Sequence, residues 1–78
     1  MPTISREGPY RLFFYAADKG EPPHVHIERD DKVAKFWLDP VRLSSSGGFK
    51  PEELAKIGRI VEGCRSVLLE AWNEYFHG

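Results

Sequence analysis

From His24 to Arg29 apolar and polar residues alternate one by one. Val25 and Ile27 fall on one side, and His24, His26 and Glu28 on the other. A period of two is the spacing of a half-buried strand. Asp30-Asp31 offers a two-residue turn, after which Lys32 to Leu38 returns. Opposing Arg29 to Lys32 sets Ile27 against Ala34 and Val25 against Phe36, so that four apolar side chains share one face. The other face gathers His24 with Trp37, His26 with Lys35 and Glu28 with Val33. A slip of one residue would mix the two sets, so the pattern itself selects this register. Asp-Asp suits a type I′ turn less well than Asn-Gly, and a longer loop with a bulge is the alternative.

The aromatic-rich stretch at about 10–17 reads as a further strand. It is broken by Asp18-Lys19-Gly20-Glu21-Pro22-Pro23, whose prolines cannot donate to a ladder. Asp39-Pro40 ends the returning strand, residues 41–44 are a candidate fourth strand, and Ser44 to Gly48 is loop. A helix is expected over about 51–76. Pro51 stands at its first position, where a missing N–H costs nothing. Glu52 and Glu53 suit the positive end of the helix dipole. Phe49 and Leu54 have the spacing of a hydrophobic staple, although Lys50 is a weak N-cap.

The apolar positions Leu54, Ile57, Ile60, Val61, Cys64, Val67, Leu68, Ala71, Trp72, Tyr75 and Phe76 fill about half the helix circumference, more than one core-facing stripe needs. Roughly 25 residues at 1.5 Å each make nearly 40 Å of helix, whereas a strand of five or six residues spans only about 20 Å. The expected architecture is therefore α+β, a small antiparallel sheet of three or four strands packed against one long C-terminal helix that outreaches it. Gly58 and Gly63 either permit close packing or bend the helix.

Seventy-eight residues accommodate a single domain with one core. The lone Cys64 excludes an intrachain disulfide and fits a reducing cytoplasm better than secretion. Aromatic side chains take over the burden of core building. The first 50 residues carry eight basic and seven acidic groups, and the remainder three and five. No basic stripe of the kind that binds nucleic acid stands out, which makes readout through Arg29, Lys32 and Lys35 the least attractive function. No apolar h-region follows Met1, and no apolar run approaches a membrane span.

His24-x-His26-x-Glu28 is the sharpest chemical feature. Alternate strand residues project side by side, so two imidazoles and a carboxylate form a partial ligand set for zinc or a similar metal. The competing reading is an ordinary sheet face with His24 stacked on Trp37, and no cofactor is expected on balance. The same face with Lys35 admits general acid–base chemistry by His24 and His26, the route to a small ribonuclease-like hydrolase. No nucleophile or oxyanion hole accompanies it. Ser44-Ser45-Ser46-Gly47-Gly48 lacks the phosphate-loop pattern, and Cys64 reads as a structural thiol. The wide helix stripe favours a protein interface. Its expected contact residues are Trp37, His24 and His26 on the open sheet face and Trp72, Tyr75 and Phe76 on the helix.

Several segments together resemble the bacterial "domain of unknown function 4160" family: Met1-Pro2-Thr3-Ile4-Ser5, Pro22-Pro23-His24-Val25-His26, Ala34 to Val41, and Leu68-Leu69-Glu70-Ala71-Trp72-Asn73. The resemblance implies a small bacterial protein, often encoded beside a second small protein in an arrangement like a toxin–antitoxin pair. It carries no established activity and assigns no catalytic residue. The expected role is that of an interaction or regulatory module, partnered by a second copy or by the product of a neighbouring gene.

Overall fold

The computed structural model describes residues 3–77, and a five-stranded antiparallel sheet organises it. The strands are β1 (Thr3–Glu7), β2 (Tyr10–Phe13), β3 (His24–Arg29), β4 (Lys32–Leu38) and β5 (Val41–Ser45), ordered β1-β2-β3-β4-β5. Two α-helices follow, α1 (Pro51–Gly63) and α2 (Arg65–His77). The β3–β4 hairpin has the register that the alternation selects, Arg29 opposite Lys32, Ile27 opposite Ala34 and Val25 opposite Phe36. Asp30 takes a φ of 57° in the turn, a left-handed conformation that Asp tolerates better than most residues.

The sheet is larger than the three or four strands expected. β1 is the addition, a polar edge strand in which Ile4 packs against the core. β2 is shorter than the anticipated 10–17, because a 3₁₀ turn at Ala16–Asp18 occupies its last positions. The fourth strand is present as β5. One sheet face presents Tyr10, Leu12, Val25, Ile27, Ala34, Phe36 and Leu38 to the helices, which supply Ile57, Val61, Leu68 and Trp72 to the same buried cluster. Phe49 is buried in that cluster with Leu54 packed against it, so the staple residues both join the core before and after Pro51.

The single long helix is a second correction. Backbone order breaks at Cys64, whose φ of −102° and ψ of 6° leave the helical well. Gly63 precedes it with open space where a side chain would be, and glycine is a recognised cause of helix kinks. Arg65 fixes the bend from outside. Its Nε donates to the Leu38 carbonyl at 3.0 Å and its guanidinium reaches Asp39 Oδ1 at 2.8 Å. The bend relieves the length mismatch, since α1 lies on the sheet while α2 turns to cover its end. There Trp72 meets the Phe14 ring at 5.2 Å and the His24 ring at 5.1 Å.

Candidate functional site

The sheet face away from α1 carries the polar members of each strand, and a loop covers part of it. After Phe14 the chain turns through Ala16–Asp18 and folds Asp18 back over the start of β3. Asp18 Oδ2 accepts the Tyr15 backbone N–H at 2.9 Å. The same oxygen lies 3.1 Å from His24 Nε2 and 3.2 Å from His26 Nε2. His24 is wholly buried, Asp18 nearly so, and His26 half-buried. Aromatic rings wall the imidazoles. Phe13 stacks on His26 at 5.5 Å and Tyr15 meets it edge-on at 4.5 Å, while Trp37 approaches His24 at 5.5 Å.

The charges in this cluster respond to each other. Burial pushes the Asp18 carboxyl upward, but the Tyr15 N–H and the two imidazoles outweigh it and hold Asp18 below the usual aspartate range. Burial lowers the basicity of His26, and the pull of Asp18 offsets this only in part, leaving His26 below an ordinary histidine.

The metal set read from the strand, His24, His26 and Glu28, is changed in one member. Glu28 turns to Arg11, whose Nε donates to Glu28 Oε1 at 2.9 Å. Asp18 replaces it, and among the described residues Asp18, His24 and His26 are grouped with donor atoms all within 4.8 Å of one another. Asp18 lies in the loop between two strands, so period-two reasoning could not reach it; its only sequence signal was an acidic residue six positions before an His-x-His pair.

The acid–base set of His24, His26 and Lys35 is not brought together as an accessible site. His24 has no exposed surface. Lys35 Nζ is engaged with Glu21 Oε1 at 3.0 Å and stands 4.5 Å over the Trp37 ring. Of the expected contact residues, His24 and Trp72 belong to the interior, because α2 bends inward at Cys64 and carries Trp72 with it. Trp37, His26 and Phe76 are half-buried, and Tyr75 is exposed. The expected open His/Trp face is therefore closed over His24 by the 15–23 loop and Trp72. Arg29 is bound to Glu53, with Nε to Oε2 at 2.7 Å, which also weakens the phosphate-contact reading.

A second region stands apart from this cluster. An open groove of about 590 Å³ runs between β1 and α2, lined by Thr3, Ile4, Glu70, Ala71, Glu74 and Tyr75. Val67 is 62% exposed and lies two turns before Tyr75, so Val67 and Tyr75 form an outward stripe at i and i+8, with Ala71 between them half-buried against the core. Leu68 and Trp72 of the same helix face the core. Sequence periodicity reads these residues as one wide stripe; the packing of α2 against the sheet end turns Leu68 and Trp72 inward and leaves Val67 and Tyr75 outside.

Fold and site together define a small α+β protein with a helix-covered meander sheet and a buried carboxylate–imidazole cluster at one end. The chain belongs to the family described as Domain of unknown function (DUF4160), whose model matches residues 10–73. No curated protein and no solved structure matches it. No helix among the described residues is long and apolar enough to cross a membrane.

Proposed function

We propose that this protein is a small interaction or regulatory module that acts by binding another protein along the α2–β1 groove. The observation that carries the reading is the outward stripe of α2. Tyr75, 40% exposed, lines an apolar groove that the chain's own core leaves unfilled, and Val67, 62% exposed, stands two turns before it on the same helix. In so small a domain, where every buried apolar side chain is needed for stability, large apolar groups on the outside of a helix favour a recognition role. β1 adds an edge strand next to the same groove, with backbone groups free to extend the sheet.

The partner is a second small protein with aliphatic and basic side chains. Glu70 and Glu74 line the groove, and a two-fold contact between copies would bring these carboxylates toward their own equivalents at a cost that an oppositely charged partner avoids. The family resemblance points to the product of a neighbouring gene as that protein, in a toxin–antitoxin-like pair, and a lone thiol suits action in the cytoplasm.

The test is co-expression of the chain with the product of its neighbouring gene, followed by affinity capture and light scattering. A heterodimer is expected that Val67→Asp and Tyr75→Glu each abolish while the circular dichroism of the free protein stays unchanged. Retention of the complex by both variants would refute this surface, and a homodimer that both variants dissolve would assign the groove to a second copy. Growth of cells expressing either protein alone or both together tests the toxin–antitoxin relation.

A further inference from the structure

His24 sets a problem of proton placement. Its Nδ1 lies 3.0 Å from the Pro22 carbonyl oxygen, and a carbonyl only accepts, so Nδ1 carries the proton. In the neutral ring Nε2 is then a bare lone pair. That atom is fully buried, makes no hydrogen bond, and lies 3.1 Å from Asp18 Oδ2, itself an acceptor. Two acceptors held face to face in a buried site are unfavourable unless a cation lies between them.

We propose that Asp18, His24 and His26 bind one divalent transition-metal ion of the zinc class through a carboxylate oxygen and two imidazole Nε2 atoms, with a coordination position left open. The spacing fits. Zinc–nitrogen and zinc–oxygen bonds of about 2.0–2.1 Å at a tetrahedral angle separate neighbouring donor atoms by about 3.3 Å. Asp18 Oδ2 stands 3.1 and 3.2 Å from the two Nε2 atoms; the donor atoms lie within 4.8 Å of one another, and a small rotation of the half-buried His26 ring about the ion brings the two imidazole nitrogens to the same separation.

The surroundings fit as well. A metal-bound imidazole usually donates its other ring N–H to a carbonyl or carboxylate, and its carboxylate co-ligand is itself hydrogen-bonded. His24 has this arrangement through Pro22, and Asp18 has it through the Tyr15 N–H. His26, which in the metal-free site donates Nε2–H to Asp18, takes the Nδ1–H tautomer when its Nε2 binds the ion. Two imidazoles with one carboxylate are a donor set for zinc and its first-row neighbours rather than for calcium or magnesium. The side chains of Asp18 and His26 each retain 11% of their surface, which leaves the ion a way in. The site is independent of the α2–β1 groove, and failure of either proposal leaves the other standing.

The experiment is zinc titration of the chelator-treated full chain against a competing chromophoric chelator, with cobalt absorption spectra recorded in parallel. One zinc per chain is expected, with a rise in melting temperature on loading. Asp18→Asn and His26→Gln are each expected to weaken uptake at least about tenfold and to remove the visible cobalt bands, whereas Cys64→Ser and His77→Ala leave both unchanged. The proposal is overturned if the folded wild-type chain takes up no zinc in a saturable manner, as it would if a proton alone bridged His24 and Asp18. It is equally overturned if uptake survives His26→Gln but falls with Cys64→Ser or His77→Ala. The wild-type titration and the half-buried His26 variant decide the matter even if Asp18→Asn does not fold.

Discussion

Replacing Gly58 by alanine is expected to stabilise the protein. Glycine inside a helix costs about 0.8–1.0 kcal/mol relative to alanine, because the unfolded chain loses more freedom on ordering. That gain is realised only if the new methyl has somewhere to sit. A Cβ on Gly58 would lie 3.5 Å from Cε2 and 3.9 Å from Cζ of Phe36, ordinary van der Waals contact with a buried ring. Dispersion with that ring adds a few tenths of a kcal/mol at most. The expected gain is therefore about 1 kcal/mol, which for a domain of this size corresponds to a melting temperature roughly 4–8 °C higher. Urea unfolding followed by circular dichroism should show the midpoint displaced upward at unchanged slope. Gly47→Ala is the paired control. Its Cβ would run into the Val33 backbone carbonyl, and its φ is +60°, so the loop must move off the start of β4. A loss of about 2 kcal/mol or more is expected there. A destabilised Gly58→Ala would refute the reasoning, since it would mean that α1 sits against β4 with no room for a methyl.

Trp72→Ala removes the side chain that joins Phe14, His24 and Phe76, and a loss of about 3–5 kcal/mol should leave the chain largely unfolded by near-ultraviolet circular dichroism; a native-like signal would show that α2 is anchored elsewhere. Burial raises the Glu53 carboxyl, but hydrogen bonds from Arg29 and Tyr10 hold it below its ordinary value of 4.5. Its contribution to stability is therefore complete at neutral pH and is lost as the pH falls below about 4.5 through the lower folded-state pKa. Urea midpoints of wild type and Glu53→Gln should converge over that range, and a gap independent of pH would refute the ion-pair account. Arg65→Met cuts the two bonds to Leu38 and Asp39 at the bend and is expected to cost about 1 kcal/mol, read from the same urea curves; no loss would mean that the kink holds without its clamp.

The hairpin of β3 and β4 was legible because period-two alternation constrains every residue at once, and a shifted register would bury Lys35 and expose Phe36. The start of α1 was equally plain from Pro51, Glu52 and Glu53. β1 escaped because Thr3-Ile4-Ser5-Arg6-Glu7 has a single apolar residue, enough for an edge strand whose partner supplies the pairing. The bend at Cys64 was hidden in an unbroken apolar spacing, with Gly63 as its only local mark. The cluster was half visible. His24 and His26 followed from the strand pattern, whereas Asp18 in place of Glu28 depends on how a loop folds over a sheet end. The burial of His24 depends on Trp72, 48 positions along the chain, and no local window carries that information.

Every strand lies beside its predecessor in the chain, and this ordering bears on how the molecule assembles. Each of the four hairpins closes a short stretch of polypeptide, so the sheet can zip from any of them without bringing remote segments together first. The docking of α1 and α2 is the step that spans long distances, and it completes the hydrophobic interior last. Rapid collapse governed by local closures is the expected kinetic behaviour.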